Sequence, residues 1–157
     1  MGAGILPVAI HNGTIYLLFS REASHMKSAG QWSDFGGSRE NAETPLQTAV
    51  REGWEESAGF LGTKREIRHL IRTHLIDKIH VSGYTTYLVD IPFSQRLPVR
   101  FAAHFRAMKK HHPEKVSRKD GLFEKDKLRW IRMDSLRRHL PIFRPWYRRI
   151  IRQIIRL

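Results

Sequence analysis

Residues Gly37–Gly59 read GSRENAETPLQTAVREGWEESAG and carry the densest information in the chain. Thr44 is a strong helix N-cap and Pro45 suits the first helical position, where no N–H is needed. Gln47 stands where a capping box wants Glu or Gln. A helix is therefore predicted to start at Pro45. At about 100° per residue, Glu52, Glu55 and Glu56 fall within an arc of about 100°. Leu46, Ala49, Val50, Gly53 and Trp54 occupy the opposite, apolar side. Glu52 and Glu56 are four residues apart, so like charges meet and repel. Hard divalent cations such as Mg²⁺ favour such oxygen donors, usually together with substrate phosphates. For a bare E-x-x-E-E an ordinary solvated acidic face is the better reading, so the flanking residues decide.

Those residues follow the pattern G-x5-E-x7-R-E-x-x-E-E, from Gly37 through Glu43, Arg51, Glu52, Glu55 and Glu56. The pattern resembles the Nudix box, which marks hydrolases of nucleoside diphosphates linked to another moiety. The chain departs from the family at two places. Gly53 stands where an apolar residue is usual. Ala58 and Gly59 stand where Gly and then an apolar residue are usual, so the helix-ending glycine is displaced by one. Gly59 can take the left-handed conformation after the helix. Gly53 costs about 1 kcal/mol in a helix interior relative to Ala and marks close helix–sheet packing.

The resemblance implies a set of roles. Glu52, Glu55 and Glu56 become ligands of Mg²⁺ or Mn²⁺, with the carbonyl of Gly37 (or Gly36) as a further donor. Arg51 pairs with Glu43 and orients the carboxylates, although a solvent-exposed Glu43 is the simpler alternative. Many family members add a carboxylate from a late loop before a strand containing Trp. Glu124, ahead of Trp130, resembles that residue; Asp126 and Asp120 are its competitors, and plain loop charges are nearly as good a reading. Glu52, Glu55 and Glu124 are thus the catalytic candidates, with the base open between Glu52 and Glu124. Arg21, Lys27 and Arg39 are weak candidates for phosphate contacts. Trp32 could stack on a base, but a core position suits it better. Tyr84 and Tyr87 read as packing residues. The histidines have no metal-ligand spacing.

Lys and Arg number 28 against 15 Asp and Glu, a formal charge of +13. A positive field attracts polyanions. The later part is richest, from Lys109 through the arginines of the last segment. There Trp146, Ile150, Ile151, Ile154 and Ile155 make an apolar stripe that suits packing on the core, with a membrane surface or partner helix as a remote alternative. No RNA-binding motif is present, so RNA contact rests on charge alone. The absence of cysteine rules out disulfides and thiolate metal sites and fits a reducing compartment. No apolar run is long enough for a membrane span and no signal peptide is evident, so a cytoplasmic location is expected.

The coarse order is mixed. Strands are expected at Ile5–Ile10 and Thr14–Ser20, joined by His11-Asn12-Gly13. Gln31–Arg39 reads as a glycine-bearing loop. Glu66–Leu75 and His80–Ile91 read as two further strands and Val99–Lys110 as a helix. A long loop follows over His111–Lys127, then a strand at Leu128–Met133, a helical turn at Asp134–His139 and a last helix at Pro145–Leu157. Residues 1–157 are expected to form one domain. The resemblance implies an α/β fold, the Nudix α/β/α sandwich with a mixed sheet. It also implies a metal-dependent pyrophosphohydrolase. The charge favours a strongly anionic substrate: capped or triphosphorylated RNA, an inositol pyrophosphate or a dinucleoside polyphosphate. A (d)NTP pyrophosphatase is equally compatible with the box. A non-catalytic RNA- or nucleotide-binding module is the reading from another class. The wording WSDFGG and REGWEESAGFLG also looks like Nudix proteins of large DNA viruses and some microbes.

Overall fold

Strand β1 (Gly2–His11) is the organising element of the computed structural model, which describes residues 1–157. Its far end, Val8–His11, pairs antiparallel with β2 (Thr14–Glu22). Its near end, Gly2–Ile5, pairs antiparallel with β4 (Phe35–Ser38). Along its other edge it runs parallel to β6 (Tyr84–Asp90), which pairs antiparallel with β5 (Leu75–Val81). The second strand carries β3 (Trp32–Ser33) and β7 (Lys125–Arg132), both antiparallel. The result is a mixed seven-stranded sheet.

Alternation along the strands divides the core in two. Ala3, Ile5, Leu18, Tyr87 and Val89 point to one face, against α1 (Pro45–Glu56), α2 (Lys64–Thr73) and α3 (Arg96–His111). Leu6, Val8, Leu17, Phe19 and Leu88 point to the other, against Ile150, Ile151 and Ile154 of α5 (Arg148–Ile155). The apolar stripe of the last helix is thus a core element. A one-turn helix, α4 (Pro113–Val116), and two 3-10 turns at Met133–Ser135 and Leu140–Ile142 complete the order. The layers are α/β/α.

Several sequence expectations need correction. Glu66–Leu75 is mostly helix, not strand. Thr63 caps α2, and a full capping box with Glu66 is present, while Ile67 and Ile71 are buried at helical spacing. His80–Ile91 is not one strand. Ser82 and Gly83, at φ of 50° and 81°, make a tight turn between β5 and β6, like Asn12 and Gly13 between β1 and β2. Gln31–Arg39 is not a loop throughout, because β3 and β4 lie within it. The expected loop His111–Lys127 contains α4 and the start of β7.

Candidate active site

Helix α1 begins at the predicted cap, with the Thr44–Gln47 capping box complete. Its acidic side is not a solvated face. Glu52 and Glu56 are buried and Glu55 is half-buried. Burial of three carboxylates needs organised partners, and Arg51 supplies them for two. Its guanidinium grips Glu43 bidentately at 2.9 and 3.0 Å. It also reaches Glu52 at 3.0 Å and Glu55 at 3.3 Å, and donates to the Ser38 carbonyl at 2.9 Å. One side chain therefore ties the strand β4 end, the approach loop and the helix together. The Arg51 bonds hold the Glu43 carboxyl down to about 2. Burial pushes Glu52 up to about 7, and Arg51 only partly offsets it.

Glu56 is held differently. The Gly36 N–H donates to its Oε1 at 2.8 Å, and the Lys125 ammonium lies 3.8 Å from the same oxygen. Lys125 is fully buried and also donates to Glu22 at 3.1 Å and to the Ser33 hydroxyl at 3.1 Å. Arg144 adds a second cation to Glu22 at 3.2 Å. Glu22 Oε2 remains buried without a partner. Burial raises Glu56 well above the ordinary carboxyl range, with Lys125 opposing the shift. Sequence reasoning missed Glu22, Lys125 and Arg144. Glu22 and Lys125 are cross-strand neighbours in the β2–β7 ladder, just where its register shifts between Arg21 and Glu22. Glu22 at the end of the largely apolar β2 was the only local signal, since Lys125 opens a strand already rich in charge.

The loop before β7 covers this cluster. Gly121 sits at φ 87°, and a Cβ there would collide with the Glu55 carboxylate. A Cβ at Gly37 would likewise collide with Glu52. Two glycines thus make room for two carboxylates of the acidic side of the helix. Glu124 follows in the same loop. Burial raises its pKa, and its charge adds to the upward shifts of Glu52 and Glu56. The four glutamates are therefore neighbours. Asp126 instead pairs with Arg21 at 2.8 Å, and Asp120 accepts the Leu122 N–H within its own turn. Arg39 is exposed and donates to the Asn41 carbonyl. Trp32 is 6% exposed and lies in the core beside Phe143.

Behind the loop lies a buried polar group that the sequence did not announce. Asp34 accepts from the Tyr84 hydroxyl at 2.8 Å and from Thr86 at 2.9 Å. Burial raises its pKa to about 6. Tyr84 is thus a strut for the loop as well as a packing residue. Gly36 is required beside it, because a Cβ would meet the Tyr84 hydroxyl.

The NUDIX domain model matches residues 2–154. The chain belongs to the Nudix hydrolase family. Over 82 residues, half of this Nudix chain, it is 38% identical to a Mycobacterium tuberculosis protein provisionally named 8-oxo-dGTP diphosphatase 3. It spans 37% of that relative's length. A 58-residue stretch, 36% of the chain, is 43% identical to an uncharacterised protein of Acanthamoeba polyphaga mimivirus and spans 19% of it. Among solved structures, the Nudix hydrolase RenU of M. smegmatis superposes with a TM-score of 0.55 at 20% identity, covering 98% of this chain and 84% of the other. The C. elegans Ap4A hydrolase superposes at 0.54 and 15% identity, covering 99% and 91%. These two likenesses speak to the fold. No helix is long and apolar enough to cross a membrane.

Nudix hydrolases generally use divalent cations. The donor set here fits such an ion: carboxylate oxygens only, with proton affinities raised by burial. Two of them rest in glycine cradles that any Cβ would fill. No three carboxylates converge on one point, because Arg51 holds Glu52 and Glu55 while Gly36 and Lys125 hold Glu56.

The two departures from the Nudix pattern have local explanations. A Cβ at Gly53 would approach the buried Ile5 side chain to 2.9 Å, so helix α1 lies unusually close to β1. At the helix end, Gly59 N–H donates to the Trp54 carbonyl at 3.0 Å and Ala58 N–H to the Glu55 carbonyl at 3.1 Å. That is a Schellman closure with Ala58, not Gly59, at its first left-handed position, φ 49°. An alanine there is strained. Ala58→Gly is expected to raise stability by about 0.5–1 kcal/mol, the relief of strain exceeding glycine's extra unfolded-state entropy. Chemical denaturation would read it; a loss of stability would refute the strain.

Proposed function

We propose that this chain is a metal-dependent pyrophosphohydrolase that cleaves a phosphoanhydride bond of a nucleoside diphosphate linked to another moiety. The observation that carries the reading is the row of half-buried and buried glutamates on α1, with Glu52 against Gly37, Glu55 against Gly121 and Glu56 bonded by the Gly36 N–H. Glu52, Glu55, Glu56 and the Gly37 carbonyl are the proposed ligands of Mg²⁺ or Mn²⁺. A divalent cation bound there would neutralise phosphate oxygens and acidify a water. Glu52 and Glu124 are the two proposed acceptors of that water's proton, and the upward shift of both by burial supports that role. Arg51 and Glu43 fix the carboxylates' direction.

The neighbouring relief suits a nucleotide. Beside Gly37 and Ser38 lies a hollow of about 310 Å³ bounded by Tyr84, Arg144 and Trp146. Trp146 is 41% exposed, with the Arg144 guanidinium 5.3 Å from its ring centre. An exposed aromatic face is a stacking platform for a base. The +13 charge favours strongly anionic substrates such as dinucleoside polyphosphates or triphosphorylated RNA over neutral-headed ones. The test is a turnover panel with Mg²⁺ and Mn²⁺ on nucleoside triphosphates, nucleotide sugars, dinucleoside polyphosphates, an inositol pyrophosphate and capped RNA. Metal-dependent turnover of one class supports the reading. No turnover of any class favours the non-catalytic nucleotide- or RNA-binding alternative.

The titrating carboxyls add an expected pH signature. A carboxyl whose folded pKa exceeds its unfolded value holds its proton in the fold first, so stability falls as pH rises through that range. Glu52 at about 7 and Asp34 at about 6 set the window. The metal-free protein should therefore melt higher at about pH 5.5 than at about pH 7.5. Glu43, held down to about 2, works oppositely, but only below the ordinary carboxyl range. Added Mn²⁺ should raise the melting temperature more at the higher pH, because it competes with protons for the same oxygens. Equal metal shifts at both pH values would contradict the ligand assignment.

A further inference from the structure

A cavity of about 570 Å³ lies between the loop that joins β2 to β3 and the loop that precedes β7. The first loop contributes His25 and Lys27, the second Arg118, Lys119 and Glu124. Both loops are fixed at their bases. The Glu22 N–H donates to the Gln31 carbonyl at 2.9 Å and the Gly30 N–H to the Glu22 carbonyl at 2.9 Å, which closes the neck of the first loop. The Ala23 N–H donates to the Glu124 carbonyl at 2.8 Å and ties one loop to the other. A small apolar cluster of Ala23, Phe105 and Val116, with Met26 and Phe123 against it, sits beneath them.

The charges on this cavity are unspent. Arg21, Arg51, Lys125 and Arg144 each have a carboxylate partner. Lys27, Arg118 and Lys119 have none among the ion pairs of the molecule. Glu124 is the one carboxylate of the lining, and Asp120, in the same loop, is turned to its own backbone at Leu122. Three unpaired cations around one concavity repel each other until an anion enters. Met26 is the one apolar residue of the lining and no Phe, Tyr or Trp ring is among it, so the cavity suits phosphate better than a base. Glu124, whose main-chain carbonyl ties the two loops through the Ala23 N–H, is shared between this cavity and the proposed active site.

We propose that this cavity is a polyphosphate subsite, which takes the phosphates beyond the scissile anhydride and selects substrates with three or more phosphates in a row. The selectivity rests on the hydrolase reading above; the subsite itself does not. Lys27, Arg118 and Lys119 supply the charge-assisted donors, and the backbone tie between Ala23 and Glu124 keeps the two loops that carry them together. On this proposal, substrates with only two linked phosphates gain less from the cavity than those with three or more.

The test uses inorganic tripolyphosphate and the full chain in EDTA, where no turnover occurs. Calorimetry should show one-to-one binding to the unmodified protein, much weaker binding of orthophosphate, and loss of affinity with salt. The triple variant Lys27→Gln/Arg118→Gln/Lys119→Gln should weaken tripolyphosphate by at least about tenfold. A control with Arg137→Gln, Arg152→Gln and Arg156→Gln removes the same charge from exposed positions elsewhere. It should change affinity by less than about twofold at moderate salt, where distant charges are screened. Equal losses in the two triple variants would reduce the effect to the general positive field and overturn the subsite. Absence of one-to-one binding would also overturn it. Failure of every nucleotide to turn over would sink the hydrolase reading while leaving this binding result to decide the subsite alone.

Discussion

Glu56→Gln should lower metal-dependent turnover by about 10²–10³-fold or more and leave the protein folded. Gln retains an oxygen that can accept the Gly36 N–H, now 2.8 Å from Glu56 Oε1. It removes a charge whose burial pushes its carboxyl well above the ordinary range, so the metal-free variant should be at least as stable as the parent. Lys125 loses a neighbour at 3.8 Å but keeps Glu22 at 3.1 Å. The rise in melting temperature on adding Mn²⁺ should shrink with the turnover. Full activity with an intact metal shift would remove Glu56 from the ligand set. Unfolding of the variant would instead make it a structural residue.

Lys125→Met should cost about 3 kcal/mol or more, because removing one partner of a buried ion pair strands the other charge. Glu22 is 3% exposed and already has one carboxylate oxygen without a partner. Arg144 at 3.2 Å would be its remaining cation, on a side chain 27% exposed. Adding Glu22→Gln to Lys125→Met should recover most of the loss, since the stranded charge is then gone. Urea unfolding of the single and double variants reads the coupling. A double variant as unstable as the single one would show that Lys125 matters through packing and not through charge.

The box helix was legible because its evidence is local. Thr44, Pro45 and Gln47 cap their own turn, and the glutamate spacing fixes their common side whatever the helix packs against. The hairpin at Asn12-Gly13 was equally local. Two equally local signals compete with a second pattern. The Thr63–Glu66 capping box announces helix α2, but apolar residues over Glu66–Leu75 also suit a strand. Ser82-Gly83 announces a turn, but the apolar residues on both sides of it also read as one long strand.

By itself the sequence determined the family, the α/β class, the start of α1 and the grouping of Glu52, Glu55 and Glu56. The last two rest on residues within one or two turns of each other, and the family on a single 20-residue stretch, Gly37–Glu56. Only the tertiary structure decided that the acidic side is buried, and that Lys125 and Arg144 come from strands and loops more than a hundred residues away in sequence to meet Glu22. It also decided that Ala58 takes the left-handed position and that Gly121 lies against Glu55. Such contacts depend on strand register and loop closure. A register shift of one residue reverses which side of a strand a charge faces, and no local pattern encodes that choice.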